Sequence, residues 1–555
     1  MKKNKYLFLA AILVVAALLR LWSLGSVPIS LNWDEVALGY NAYSILETGR
    51  DEYGEFLPVV LRSYNDYKPA LYTYLTIPSV AIFGLTPFAV RLPAALSGIL
   101  AVFLTYILVC ELFGVKKIKI GPHEISGEMI ALLAAFLLAI SPWHIQFSRV
   151  AFEANVAVTF NLLALTTFFI GLRRRWFILL TPIFLSLSVY TYQSAKLFVP
   201  VLFVLMTVIF WKKLVKVDKK FLAAAVMLGV VVSLPMSHFL LTDPNALSRA
   251  QGVGVFSSNT TELLKDTVVK LEVDRSRGDV LGLIFDNRRV EFAKAVTDGY
   301  LSHFDINWLF IEGDLERHHA PGMGLLYLWE LPFLLIGIYT LIFMPIDRRV
   351  KVFILLWFLC APLPAALTTG LPHAVRTLNF LPTFQIFVAL GLVASYSYLY
   401  KHRITFLIGS SALFLIIIFN FVYYLNQYFV QQNYEYALDW QYGYKQMVEN
   451  IQPVSEKYEK IVVSNDNEMA QSYMFFLFYT KYNPSKYLEE GGTNSGSFDD
   501  PHKFSNFEFR EFDYDTEAKN QLLIGSKKDF EEEYKTIHAV YYPDSELAIR
   551  AVETK

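Results

Sequence analysis

The segment YLFLAAILVVAALLRLWSLGSVPISLNWDEVALGY, Tyr6 to Tyr40, decides the fold class, because a long apolar run leads directly into charged residues. Residues 6–24 are long enough to cross a hydrocarbon core of about 30 Å at about 1.5 Å per residue. The run is longer than the apolar part of a signal peptide, and no small-residue cleavage site follows it, so we expect an uncleaved span. Asp34 and Glu35 then open the next loop. Charges this close to a bilayer are costly unless they have a function.

Composition extends this prediction to the whole chain. Of 555 residues, 54% are hydrophobic and only 18% are charged, which is typical of a polytopic α-helical membrane protein. The net charge of −1 gives no support to a nucleic-acid partner. Cys110 and Cys360 both fall in apolar runs and indicate small buried side chains, not a disulfide or metal pair. We expect about eleven spans, at residues 6–24, 91–113, 129–147, 152–172, 176–193, 197–212, 221–241, 325–344, 352–368, 377–399 and 404–425.

Basic residues set the predicted orientation. Clusters of Lys and Arg alternate with connections that carry only isolated basic residues, and the positive-inside rule places the clusters in the cytoplasm. The N-terminus is then cytoplasmic and the C-terminus extracytoplasmic, in a plasma or inner membrane. The apolar segment 69–85 would invert this pattern if it crossed, so we expect it to be re-entrant or interfacial. The clusters lie at residues 2–5, 116–119, 173–175, 212–220, 348–351 and 401–403.

Three large pieces then lie outside the membrane: residues 25–90, residues 242–324 and the tail 426–555. In the tail, KIVVS, QLLIGS and HAVYYP are typical of short strands, and NEMAQSYMFFLFYTKY is typical of a helix. We therefore expect a transmembrane domain at 1–425 and a small α/β extracytoplasmic domain at 426–555.

Lone basic residues lie at or near the outer ends of the predicted spans, in apolar or aromatic surroundings. Each could simply extend its head group toward the interface. Together they indicate an anion site, most simply for phosphate, because Arg offers bidentate contacts and Lys a point charge. These residues are Lys68, Arg91, Arg149, Lys196 and Arg376.

Two further groups of outer residues are candidates for binding. The sequence FIEGDLERHHAPG brings carboxylates and imidazoles together and could hold a divalent cation through Glu312, Asp314, His318 and His319. No other cofactor is indicated. Aromatic and polar residues near the outer ends of the spans could contact a sugar or an acceptor, although interfacial belts give the same enrichment in aromatics. These are Trp33, Tyr40, Tyr67, His144, Tyr192 and Gln193; His144 could also be a buried residue at a helix end.

The order of several motifs carries a resemblance. Adjacent Asp34 and Glu35 are followed by YKPAL at 67–71, by FGLTPFAVRLPAALSGILAV with Arg91, and by AISPWHIQFSRVAFEANV with Arg149. This order resembles the membrane glycosyltransferases of the GT-C type, and more narrowly family 39, which includes protein O-mannosyltransferases and aminoarabinose transferases that modify lipid A. The chain departs from the family pattern KPPL at Ala70, and Tyr67 stands where lipid A-modifying relatives often have Glu.

The resemblance implies transfer of a sugar from a polyprenyl-phosphate donor to a lipid, glycan or protein acceptor outside the membrane. Asp34 would be the general base, Glu35 would orient the acceptor or the loop, and the lone basic residues would bind the donor phosphate. A single base and direct displacement imply inversion at the anomeric carbon. Asp34 could instead only cap a helix. A lipid-linked sugar flippase and a non-enzymatic scaffold for envelope assembly are the other functions that the sequence leaves open.

Overall fold

The computed structural model describes residues 2–64, 66–114, 117–247, 252–257, 261–496, 500–530 and 534–554. Lys116, which belongs to a predicted cytoplasmic cluster, lies outside the described residues. The helices of the first part of the chain are α1 Lys2–Leu21, α2 Trp33–Thr48, α3 Leu71–Phe83, α4 Pro87–Phe113, α5 Gly127–Ile140, α6 Pro142–Arg149, α7 Glu153–Gly171, α8 Leu180–Val189, α9 Ala195–Leu214 and α10 Lys219–Thr242.

The remaining helices follow the second predicted outer loop and continue into the tail. They are α11 Thr261–Arg277, α12 Val280–Phe285, α13 Arg288–Ser302, α14 Glu330–Phe343, α15 Arg348–Cys360, α16 Leu363–Ala366, α17 Thr383–Leu399, α18 Arg403–Asn426, α19 Gln432–Glu435, α20 Tyr444–Ile451, α21 Ser472–Tyr479 and α22 Pro484–Glu489. Short π-helical segments occur at Trp308–Glu312 and Gln427–Gln431, and short 3₁₀ turns at Arg175–Leu179, Pro244–Leu247, Leu378–Phe380, Gln452–Lys457, Asn467–Met469 and Lys527–Asp529.

The apolar runs form helices, which confirms the predicted class of a polytopic helical membrane protein. Within the described residues, seven helical segments are long and apolar enough to cross a bilayer, or up to eight when the bent pair α5 and α6 counts as one span. The other predicted spans fall on α1 and on the shorter apolar helices Arg175–Val189 and Glu330–Phe343. The count of eleven therefore stays a prediction.

The segment predicted to be re-entrant forms α3, whose 13 residues include Pro78. At about 1.5 Å per residue this helix extends about 20 Å, which is less than the hydrocarbon core of about 30 Å. Its length agrees with the prediction that residues 69–85 do not span, and its placement in a membrane stays a prediction.

The chain divides into two compact units, which we describe separately. The first unit contains Met1–Leu13, Leu100–His144 and Ala157–Ile418, and the second contains Val14–Ile99, Ile145–Val156 and Phe419–Lys555. Within the first unit, strands β3 Lys117–Ile120 and β4 His123–Ser126 form an antiparallel hairpin before α5.

The second unit contains a small sheet, as predicted for the tail. Its six strands are β5 Ile461–Val463, β6 His502–Phe504, β7 Phe507–Phe509, β8 Leu522–Gly525, β9 Thr536–Tyr541 and β10 Leu547–Glu553, in the order β6-β7-β5-β8-β10-β9. The central strand β5 is parallel to both neighbours, β7 and β8, and the other pairs are antiparallel. Strands β5 and β8 are fully buried, which explains their continuous apolar sequences.

The apolar helix α21, with the sequence SYMFFLFY, belongs to the same unit and packs against α2. A second, two-stranded sheet pairs β1 Val60–Ser63 with β2 Asp66–Pro69 and places Lys68 opposite Leu61.

Candidate active site

The first turn of α2 is built around a capping box. The side chain of Asn32 accepts hydrogen bonds from the backbone N–H groups of Asp34 (2.9 Å) and Glu35 (3.1 Å). The Glu35 carboxylate in return accepts the backbone N–H of Asn32 at 3.2 Å. The cap is therefore Asn32, and the alternative that Asp34 itself caps the helix is wrong. The Asp34 carboxylate contacts Lys68 instead.

Asp34 forms an ion pair with Lys68, which the β1–β2 hairpin brings to the helix. The Asp34 side chain keeps 33% of its accessible surface and that of Lys68 keeps 16%, so the pair is reachable from solvent. Burial alone would lower the pKa of the Lys68 amine, but Asp34, Glu153 and Asp66 raise this pKa above its usual value. The Lys68 side chain is therefore protonated and positively charged at neutral pH.

Glu153, at the start of α7, is a neighbour of this pair. Its half-buried carboxyl interacts electrostatically with Lys68, Asp34 and Asp66. Glu153 follows Arg149 by four residues, a spacing that would place the two side chains together on one continuous helix. Residues 150–152 interrupt the helix between α6 and α7, so the two residues lie on different helices.

Glu35 and Arg91 form a fully buried pair behind Asp34. One Glu35 oxygen accepts from Arg91 Nε (2.8 Å) and from the backbone N–H of Ala151 (3.0 Å). The other accepts from Arg91 Nη2 (3.1 Å), in addition to the Asn32 N–H. Arg91 also donates to the carbonyl oxygens of Leu24, Pro28 and Ser30. The pair therefore ties the start of α2, helix α4 and the chain just before Glu153 together.

Arg149 is also used inside the protein. Its guanidinium donates to the carbonyl oxygens of Leu19 (2.8 Å) and Val27 (3.1 Å). It lies 5.4 Å from the ring centroid of Tyr428 and 4.7 Å from that of Phe429, as expected of cation–π contacts. These contacts fix the connection between α1 and α2.

The aromatic candidates of the second unit differ in accessibility. Tyr40 is fully buried and its hydroxyl donates to the carbonyl of Tyr482 at 3.2 Å. Trp33 and Tyr67 are half-buried, on α2 and β2 respectively. The hydroxyl of Tyr64 donates to the carbonyl of Trp33 at 3.3 Å. Trp33 and Tyr67 accordingly present more surface to a ligand than Tyr40.

The remaining predicted residues belong to the first unit. Lys196 lies in the first turn of α9, shortly after Tyr192 and Gln193 in the preceding turn, and all three are half-buried. His144, on α6, is fully buried. The Arg376 guanidinium donates to Thr368 Oγ1 (2.6 Å) and to the Thr369 carbonyl (2.7 Å).

The residues that could hold a metal ion form a different group from the one that the sequence predicted. Asp314 and His318 come together with His373, and their ligating atoms all lie within 4.8 Å of one another. Glu312 and His319 are not part of this group, and the imidazole of His319 instead donates to the Leu315 carbonyl at 3.0 Å. Hydrogen bonding between Asp314 and His318 outweighs the effect of burial and lowers the pKa of the Asp314 carboxyl.

One carboxylate and two imidazoles are a common ligand set for zinc, whose ligating atoms lie about 3.3 Å apart in a tetrahedral site. Asp314 Oδ2 lies 2.8 Å from His318 Nδ1 and accepts the backbone N–H of Ala374 at 2.7 Å. The rings of His318 and His373 are 5.1 Å apart. Small side-chain movements that bring the three ligating atoms to this spacing, with Asp314 and His318 moving slightly apart, would accommodate an ion, so the residues fit a divalent metal.

Known structures share this architecture. Two crystal structures of the aminoarabinose transferase ArnT from Cupriavidus metallidurans, one bound to undecaprenyl phosphate and one in the apo state, are similar to the chain. Each is 12% identical, with a TM-score of 0.52 over 98% of this chain and 97% of ArnT. The archaeal oligosaccharyltransferase AglB from Archaeoglobus fulgidus, in complex with an inhibitory peptide and a dolichol-phosphate, is 16% identical over 86% of this chain and 64% of AglB, with a TM-score of 0.47.

No model of a known protein family matches the sequence, and no curated protein sequence matches it. At 12% identity the likeness to ArnT concerns the fold. It extends over nearly the full length of both chains, including the tail with its small sheet. The chain therefore shares the GT-C fold of ArnT, and several of its helices are long and apolar enough to cross a bilayer.

Proposed function

We propose that this protein transfers a sugar from a polyprenyl-phosphate donor to an acceptor hydroxyl on the extracytoplasmic side of the membrane. The observation that carries the proposal is the Asp34–Lys68 ion pair, which joins a partly exposed carboxylate to a charged amine in a GT-C fold. ArnT, which has the same fold, binds undecaprenyl phosphate. A carboxylate beside an ammonium offers the two groups that such a transfer needs.

The chemistry follows from these two charges. The acceptor oxygen attacks the anomeric carbon, the bond from that carbon to the phosphate oxygen breaks, and its electron pair leaves with the lipid phosphate. Asp34 takes the proton of the acceptor hydroxyl. The Lys68 ammonium stabilises the charge that develops on the leaving phosphate. One displacement predicts inversion of the anomeric configuration.

The other site residues have graded roles in this proposal. Lys196 and Arg376 are proposed phosphate ligands, and Glu153 is proposed to hold Lys68 and to share its charge. Hydrogen bonds within the protein occupy Glu35, Arg91 and Arg149. We therefore propose that these three residues position the site. The proposed contacts to sugar or acceptor are Trp33, Tyr40, Tyr67, His144, Tyr192 and Gln193.

The purified protein can test the proposal through sugar release from a polyprenyl-phosphate sugar in the presence of acceptor. We expect Asp34→Asn to lower turnover by about 100-fold or more, since positioned bases contribute about 10²–10⁴-fold. We expect a loss of similar size for Lys68→Ala, because an electrostatic donor is worth about 10²–10³-fold. Glu47→Gln, an exposed carboxylate on the same helix, is the matched control. Wild-type turnover in both site variants would refute the proposal. A flippase would instead move the donor across the vesicle membrane without releasing sugar.

We further propose that Asp314, His318 and His373 bind a divalent metal ion, with Zn²⁺ the best match to the ligand set. The ion would join the chain at residue 314 to the segment that leads to Arg376. Its proposed contribution is to hold that segment in place.

Metal analysis of the purified protein tests this second proposal. We expect about one equivalent of bound metal in the wild type and a clear loss in His373→Ala, because three ligands are needed for a stable site. His238→Ala, an exposed histidine of α10, is the control and should keep the metal. Equal and negligible metal in all three proteins after loading with Zn²⁺ would exclude the site.

The orientation and the domain limits complete the proposal. We place the N-terminus in the cytoplasm and the proposed site outside a plasma or inner membrane, as the basic clusters predict. We assign residues 1–425 to the transferase domain and residues 426–555 to an extracytoplasmic domain. Labelling of introduced cysteines at residues 403 and 541 with a membrane-impermeant reagent should modify only the second.

A further inference from the structure

Helix α2, which carries Asp34, contacts the C-terminal region of the same unit, Phe419–Lys555. At its first turn, the backbone N–H of Trp33 donates to Gln441 Oε1 at 2.8 Å. In its middle, a Cβ added to Gly39 would lie 2.6 Å from the ring of Phe478, so the helix can approach α21 this closely only because residue 39 is glycine. The C-terminal region therefore contacts the helix at two levels near the proposed base.

A third contact is made through Glu52, a buried residue shortly after α2. Its carboxylate accepts from Asn41 Nδ2 (3.0 Å), Thr493 Oγ1 (2.8 Å) and the Tyr473 hydroxyl (3.3 Å). The backbone is bonded as well, because Glu52 N–H donates to Asn41 Oδ1 (2.9 Å) and Thr493 N–H donates to the Glu52 carbonyl (3.0 Å). Asn41 belongs to α2, whereas Thr493 and Tyr473 belong to the C-terminal region. Glu52 thus links the two through one carboxylate.

Adhesion alone would not require such groups. Apolar side chains would join two surfaces without the cost of burying a carboxylate. Hydrogen bonds from three separate segments instead fix one orientation. Gln441 has a left-handed backbone at φ +51°, which is unfavourable for a residue other than glycine, and this strain is retained where its side chain meets the helix N-terminus.

We propose that Glu52 and Gln441 are positioning residues through which the C-terminal region orients helix α2 and the Asp34 carboxylate for transfer. The inference rests on the proposed function, because it assigns Asp34 the role of base. It gives the tail a part in catalysis that does not require the tail to touch the donor.

The Glu52 contact is also sensitive to pH. Burial raises the pKa of the Glu52 carboxyl to about 7, against the hydrogen bonds that favour its ionised form. Because the pKa in the folded state lies above the ordinary value of about 4.3, the contribution of this group to stability is full at low pH and declines as pH rises toward 7. The titratable groups that face it are Asp51, Tyr40, Tyr53, Tyr64, Tyr473 and Tyr487, with His502 stacked on Tyr473.

The test compares three variants, Glu52→Gln, Thr493→Val and Gln441→Ala, with the control Glu55→Gln, an exposed carboxylate of the same loop. We expect kcat to fall about 3- to 30-fold in each variant, since a small misplacement of a catalytic group costs up to about 100-fold. The KM for the polyprenyl-phosphate sugar should stay within about twofold, because Lys68 is untouched. Thr493→Val removes only one hydroxyl, so it still tests the contact if Glu52→Gln fails to fold.

Hydrogen exchange at the amides of Trp33 and Thr493 is the second measurement. Both amides should exchange faster in the variants, after correction for intrinsic exchange. Wild-type kcat in all three variants, or a loss that appears in KM alone, would overturn the inference. Absence of any transfer by the wild type would instead refute the proposed function, and the exchange data would then show separately whether α2 is braced.

Discussion

Removing one partner of the buried Glu35–Arg91 pair should destabilise the protein about as much as removing both, because either single change leaves the other charge buried without its partner. Arg91→Met would leave the Glu35 carboxylate and the carbonyls of Leu24, Pro28 and Ser30 without their donor in a fully buried place. Breaking a buried pair from one side costs about 3–5 kcal/mol. We therefore expect Arg91→Met and Glu35→Gln each to lower the free energy of unfolding by about 3 kcal/mol or more.

The double variant should lose about 3–4 kcal/mol, which is less than the sum of about 6 kcal/mol for the two single variants and gives a coupling energy of about 2–3 kcal/mol. Unfolding in detergent can be followed by tryptophan fluorescence, because the Arg91 guanidinium lies 6.0 Å from the ring of Trp440. Thr105→Val, a buried polar residue further along α4, is a suitable control that should add independently. Strictly additive losses in Arg91→Met and Glu35→Gln would refute the reasoning, since they would mean that the two side chains do not interact.

Three further outcomes follow from the site. Asn32→Ala should cost about 0.5–2 kcal/mol of stability by removing the helix cap, and Asn32→Ser should restore most of it, as measured by thermal unfolding. Arg149→Lys should destabilise by about 1–3 kcal/mol, because lysine cannot donate to the Leu19 and Val27 carbonyls in two directions, and an unchanged Tm would contradict this. The raised pKa of Lys68 implies a contribution that is full below the unfolded value of about 10.4 and lost as pH rises through the folded value, so Lys68→Met should flatten the alkaline part of the stability profile.

The fold class was predictable because membrane helices must bury their backbone polar groups within one segment, so each leaves a long apolar run. Segments such as 221–241 and 404–425 were found for this reason. The short strands β6 and β7 were not predicted. Each has three residues, too few for an alternating pattern, and their pairing depends on β5 from another part of the tail.

The candidate site was predictable only where motif order helped. Asp34 was singled out as an acid beside the first predicted span and Lys68 as a lone basic residue, the resemblance implied their roles, and the structure pairs them. The association of Asp314 with His373 has no local signal, because the two residues are distant in sequence and meet through tertiary structure. The surroundings of Glu153 also leave no local signal, because its spacing of four residues from Arg149 is helical whereas residues 150–152 interrupt the helix.

The four hydrogen bonds on the two oxygens of Glu35 have a practical consequence for genetics. Aspartate is too short to reach the same donors, and glutamine offers only one accepting oxygen, so no natural side chain can replace Glu35 without loss. Asp34, one residue away, is partly exposed, so a substitution there does not leave a fully buried donor without its acceptor. Substitutions at these two neighbouring positions should therefore have different effects. We expect substitutions of Glu35 to lower the abundance of the protein, and substitutions of Asp34 to leave it folded. Position 34 is therefore the place to make a variant that folds, binds its ligands and can be trapped with them.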